Sequence, residues 1–293
     1  MPVFSELPVG AKVKFGSYAV RGQSPHQICW WKAHHDGTLL TEYLEEQFPF
    51  DAAEPKARGQ RAEYGSNRYS KSNIRYWLNS TGENWFVGAT PTDEAPTDDL
   101  VHSEVKGSDK KPGFLSSFSE WELNALELTE LKCIIPEIDR GEDGPEIEMV
   151  RDYAFIPSVQ NLISGFSGGA EGELFELFES GFTSIPNRMS TQLYEESEDK
   201  PSEPKDGWWA YTRTPKQNDG STVAAIGRNR ERVMLDAHDA GIGAMICVRI
   251  KPDTAVSEER DENGYMHILE APEVAIEINE CDYLDIIYQN KNL

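Results

Sequence analysis

The chain is poor in positive charge: 28 Lys and Arg stand against 51 Asp and Glu, a formal charge of −23, with a sequence pI near 4.6. Such a balance argues against nucleic acid and anionic membranes as partners, because both would be repelled. No stretch approaches the roughly 18 consecutive apolar residues of a membrane span. The segment Met1 to Val13 is short of apolar residues and carries Pro2, Pro8 and Gly10, so no secretory signal is read there and synthesis in the cytoplasm is expected.

Cysteine is scarce as well. Cys29, Cys133, Cys247 and Cys281 are the only four. No two of them form a CxxC pair, no histidines gather around them, and three sit beside apolar neighbours. They read as buried reduced thiols and not as a disulfide framework or zinc site. Also missing are Gly-x-Ser-x-Gly, His-Glu-x-x-His and the phosphate-binding loop. Those absences favour a protein that is not an enzyme and has no cofactor.

What the chain does contain is a globular composition, with 38% hydrophobic and 10% aromatic residues over 293 positions. That is ample for a buried core. Lys12 to Phe15 alternates as a strand does, Ile28-Cys29-Trp30-Trp31 is an apolar strand run, and Asp36-Gly37 suits a two-residue hairpin turn into Thr38–Thr41. Ser70 or Ser72 predicts the start of a short helix with Ile74, Trp77 and Leu78 on one face. Ser119 and Glu122 predict a capping box for a second, with Trp121, Ala125 and Leu128 on one side. Further helices are expected over Val159 to Ser164 and Glu171 to Ser180, the latter facing inward through Leu174, Phe175 and Phe178. Pro136 to Glu148 reads as an exposed loop. Strands are expected at Tyr153 to Ile156, Trp208 to Thr212, Val223 to Ile226, Arg232 to Leu235 and Ala244 to Ile250. Val274 to Ile278 and Tyr283 to Tyr288 complete the strand candidates. Short helices among many strands, without a βαβ rhythm, give an α+β fold class with mixed or antiparallel sheets.

Several segments together resemble a family of uncharacterised proteins of gut bacteria, prophages and phages. These are Phe15-Gly16 with Cys29-Trp30-Trp31; the run Tyr64 to Asn79 ending in Trp77-Leu78-Asn79; Gly113 to Ser116 with Glu122; Asp152 to Ser158, containing Phe155-Ile156-Pro157-Ser158; Trp209 to Pro215, with Arg213-Thr214-Pro215; and Gly241 to Ile246. The resemblance covers about residues 10 to 250. It departs in the last block, where the family's Arg-Pro is Gly243-Ala244. It implies a C-type-lectin-like fold over residues 1–250, shared with formylglycine-generating enzymes and with the variable proteins of diversity-generating retroelements. Residues 251–293 form a strand-rich extension outside the pattern, with eleven acidic residues against three basic ones. In that fold the closing Trp and Arg blocks build a core sheet, and the surrounding loops present a ligand face.

Trp209, Tyr211 and Arg213 alternate and so share one face of a strand. They are either an aromatic and cationic ligand face or a packed core with Arg213 paired to a carboxylate or ring. Arg228, Asn229, Arg230 and Arg232 form a basic island near Gly227 that suits an anionic or glycan ligand, an acidic neighbouring subunit, or a solvated hairpin tip. A second island runs from Lys56 to Arg75, with six basic residues and one acid. His34-His35-Asp36 could suggest a metal, but adjacent histidines on a strand point to opposite faces and make a poor joint site; an exposed turn is the expected reading. Asp261 to Gly264 begins like a calcium loop but places Pro272 where position 12 needs Glu.

These features predict a non-catalytic binding or structural protein associated with a phage or prophage virion. Its expected partners are neighbouring assembly subunits or a host surface glycan or protein, and a homo-oligomer is allowed. The alternative is an oxidase of the formylglycine-generating type, whose relatives hold copper through two nearby cysteines.

Overall fold

The computed structural model describes residues 1–20, 23–165, 171–179, 185–198, 200–203, 206–227 and 231–270. In chain order its strands and helices are β1 (Lys12–Tyr18), β2 (His26–Lys32), β3 (Thr38–Thr41), α1 (Arg61–Tyr64), α2 (Asn73–Leu78), α3 (Glu120–Ala125), β4 (Thr129–Ile134) and β5 (Ile147–Asp152). They continue with β6 (Ala154–Phe155), α4 (Val159–Leu162), α5 (Glu176–Glu179), α6 (Thr191–Glu196), β7 (Ala210–Pro215), β8 (Thr222–Ile226), β9 (Arg232–Asp236), β10 (Gly243–Ala244), β11 (Cys247–Arg249) and β12 (Met266–His267). The expected strands at residues 274–278 and 283–288, with Cys281, lie outside the described residues. No described helix is long and apolar enough to cross a membrane.

Short helices pack around mixed and antiparallel sheets, so the fold class is α+β. One sheet has six strands in the order β12-β1-β2-β3-β11-β6, a second has four in the order β10-β7-β8-β9, and β4 and β5 form a hairpin. The β12–β1 and β10–β7 pairings are parallel. β3 receives β11 on its open edge through Leu39 opposite Val248, and β11 then receives β6. The chain beyond residue 250 is stitched to the start: Phe4 N donates to Thr254 O at 2.8 Å, and Val13 faces Met266.

The aromatic runs supply the core. Trp30 and Trp77 are fully buried. Trp30 Nε1 donates to Phe15 O at 2.7 Å and Trp77 Nε1 to Pro112 O at 2.9 Å, so neither indole leaves a buried donor unpartnered. Phe48 stacks on Trp77 at 4.5 Å between ring centroids. The caps form as predicted: the Ser72 side chain accepts from Arg75 N, and Ser119 and Glu122 make a reciprocal box.

Three expectations are corrected. α3 ends at Ala125 because Leu126 turns extended and Glu127 N donates to Arg249 O; Leu128 lies past the helix, 46% exposed. The helix expected from Glu171 shrinks to Glu176–Glu179, because Asn161 Nδ2 holds Glu173 O at 2.7 Å and Glu171 N donates to Gln160. The region from Pro136 to Glu148 is not all loop, since β5 begins at Ile147 and pairs with β4.

Candidate functional site

Where β4, β5, β6 and β7 converge with the Glu171–Phe175 segment, a cavity of about 270 Å³ opens. Its floor is Arg213, only 2% exposed. The β7 strand is buried at all six positions, so the guanidinium projects into protein and must find acceptors there. It does so on backbone: Nη1 donates to Ile156 O at 3.0 Å, Nε to Lys132 O at 3.4 Å, and Nη2 to Glu171 O. The Glu171 carboxylate meanwhile accepts from Ile134 N at 3.2 Å and Thr214 Oγ1 at 2.5 Å. Burial pushes that carboxyl up, against the opposing pull of Arg213 and the two hydrogen bonds.

The rim is set by the β2–β3 turn and the end of β11. Asp36 Oδ1 accepts from Thr38 N at 3.0 Å and Thr38 Oγ1 at 2.7 Å, and Oδ2 pairs with Arg249 Nη2 at 2.5 Å. Burial, the largest single influence on Asp36, raises its carboxyl, yet Thr38 and Arg249 together hold it below the usual range. Arg249 Nε is buried without a hydrogen-bond partner and belongs to a residue lining the cleft. Exposed Glu130 and Lys132 alternate along the wall, with Leu131 and Cys133 turned inward.

A second cavity of about 490 Å³ adjoins the first through His34, Gly172 and Glu173. The β2–β3 connection spans residues 33–37, longer than the two-residue turn expected, and His34 and His35 sit in it, in a turn as expected of them. Their rings face one another at 4.3 Å between centroids. Gly37 makes this possible: its φ is +92°, and a Cβ there would lie 2.7 Å from Ile250 O. His34, His35 and Glu176 bring three potential ligand atoms within 4.8 Å of one another.

Of the residues expected to form a ligand face, Tyr211 is wholly buried, with its hydroxyl donating to Asp236 O at 2.5 Å. Trp209 packs half-buried against the core, filling the space above Gly227, where a Cβ would meet its ring at 2.3 Å. Arg213 alone of the three lines the cleft. Arg232 is exposed at the start of β9 and lines neither cavity; Arg228, Asn229 and Arg230 lie outside the described residues, as does Phe166 to Gly169. Gly243 occupies a buried position where a Cβ would fall 2.5 Å from Leu44 Cδ1, leaving no room for an arginine.

The basic run from Lys56 to Arg75 is largely consumed internally. Arg61 pairs with Asp139 at 2.8 Å, Arg68 with Glu148 at 2.6 Å, Arg75 with Asp152 at 2.8 Å and Lys56 with Glu94 at 2.6 Å. It fastens α1 and α2 to the β4–β5 region instead of offering a free cationic surface. Cys29, Cys133 and Cys247 are free thiols. Burial pushes Cys29 up to about 11 and Cys133 up to about 12, and raises Cys247 as well.

No curated protein matches the chain, and no solved structure does. One family model does match, over residues 36–251, a span that holds every element from β3 to β11 and the lining of both cavities apart from His34 and His35. The chain therefore belongs to the DUF6273 family, a domain of unknown function.

Proposed function

We propose that this chain is a non-catalytic binding protein on a C-type-lectin-like scaffold. It serves a phage or prophage particle by holding a host glycan or a neighbouring subunit in the cleft above Arg213. The observation that carries the reading is the division of labour in that cleft. The floor groups are committed to structure, Arg213 to three carbonyls and Glu171 to Ile134 and Thr214. The rim presents Lys132, Glu130 and Arg249 to whatever enters. A rim with both signs of charge suits a polar, hydroxyl-rich or zwitterionic ligand. Full burial of β7, which carries Ala210 to Pro215 of the Trp209–Pro215 block, agrees with a core role for that block in a lectin-like sheet.

Glycan-array and host-cell binding by the purified protein, together with mass spectrometry of particles, tests the proposal. Binding that weakens at least about tenfold in Arg249→Ala, a loss of about 1.4 kcal/mol, is the expected result. No binding to glycan, cell or particle protein, with the chain absent from particles, would end it.

A further inference from the structure

The turn between β2 and β3 carries two imidazoles whose surroundings are organised for a cation. Leu177, buried in α5, donates its N–H to Ala33 O at 3.1 Å. That backbone bond locks α5 against the turn and delivers Glu176 beside the histidines. His35 Nδ1 hydrogen-bonds to Glu176 Oε1, and His34 Nε2 lies 4.0 Å from the same oxygen. The His34 ring packs beside Phe175 at 6.3 Å. Its Nδ1 is buried without a hydrogen-bond partner and lies 3.4 Å from Asp36 Oδ1. Asp36 is itself fixed by Thr38 and Arg249. A small rotation of the ring lets it donate to that carboxylate, the arrangement that orients metal-binding histidines. Glu173 and Glu179 line the same cavity and add negative potential.

We propose that His34, His35 and Glu176 bind a divalent transition-metal ion of the zinc class. Two imidazole nitrogens and one carboxylate oxygen are a borderline donor set, which takes zinc, cobalt or nickel in preference to calcium or magnesium. The ion takes the place of the hydrogen bond between His35 and Glu176. Tetrahedral ligands about 2.0–2.1 Å from zinc lie roughly 3.4 Å from one another. His35, with a side chain 70% exposed, is free to swing to that spacing. Three protein ligands leave a position for water or for an atom of a molecule in the cleft. The site stands whether or not the cleft binds a glycan.

The test is calorimetric titration of ZnCl2 into the metal-stripped full chain, with CoCl2 absorption as a second readout. One equivalent of zinc is expected, with cobalt d–d bands free of thiolate charge transfer. His35→Ala and Glu176→Gln should each weaken zinc binding at least about 100-fold, while Cys281→Ser leaves it unchanged. The exposure of His35 keeps the first variant folded, which circular dichroism and the metal-free melting temperature verify. Absence of zinc binding at micromolar protein, or equal binding by the His35 and Glu176 variants, overturns the site.

Discussion

Arg213 holds Glu171 by its backbone carbonyl, leaving the Glu171 carboxylate to Ile134 N and Thr214 Oγ1. One guanidinium thus joins β4, the end of β6 and the segment leading to α5, all at the floor of one cleft.

Removing that joint should be costly. Arg213→Met strands three carbonyls and leaves the buried Glu171 without its positive neighbour, so a loss of about 3–5 kcal/mol is expected in denaturant unfolding. Arg213→Lys should also destabilise, because a single ammonium does not reproduce the guanidinium fork. An unchanged unfolding midpoint in both variants would contradict this account.

Gly16 interrupts the β1–β2 register between Lys14 and Ser17. Its φ is +68°, and a Cβ would sit 2.4 Å from the Phe118 ring. Gly16→Ala should cost about 1–3 kcal/mol through overpacking and backbone strain. Adding Phe118→Leu should recover part of that loss, relieving the clash but not the φ. A double-mutant cycle showing simple additivity would count against the clash.

Stability should depend on pH through His26. Its Nε2 lies 2.8 Å from Oε2 of the buried Glu45, and that hydrogen bond raises the imidazole above 6.5 against the opposing effect of burial. A raised folded value means the contribution is complete below about pH 6.5 and fades as pH climbs through the folded value. The melting-temperature gap between the native chain and His26→Gln should therefore narrow from about pH 5.5 to about pH 8.5. A gap that widens with pH would reverse the sign and refute the assignment.

Cys133 and Cys247 are fully buried and held protonated. A maleimide applied to the native protein should spare both and reach them only in denaturant, as read by peptide mass spectrometry. Rapid native labelling of either would show that the core opens there.

The short helices were legible because their signals are local. Ser72 with Ile74, Trp77 and Leu78, and Ser119 with Glu122, need only neighbours within one or two turns. The ends were not legible: α3 is cut short by pairing with Arg249, far away in sequence. The same distance hid the fate of the basic run, whose partners Asp139, Glu148 and Asp152 lie 78, 80 and 77 residues on. The β4 strand was readable and was missed. Thr129 to Cys133 alternates buried and exposed positions as a half-buried strand does, but Leu128 invited the preceding helix to continue across it. The turn at His34 and His35 was legible from Asp36-Gly37 beside it. What was not legible is that it brings both rings together beside Glu176 of α5, far away in sequence.

The pairing of β3 with β11 has a consequence for how the chain is made. Leu39 meets Val248 only after roughly 200 further residues have been synthesised, which at about 5–20 residues per second leaves that edge unpaired for roughly 10–40 s. The β1–β2–β3 meander must wait on the ribosome with a hydrophobic border exposed. A structure so dominated by distant pairings is expected to fold slowly and to be vulnerable to aggregation during that wait. Overexpression at reduced temperature, or alongside a chaperone that shields strand edges, should raise its soluble yield.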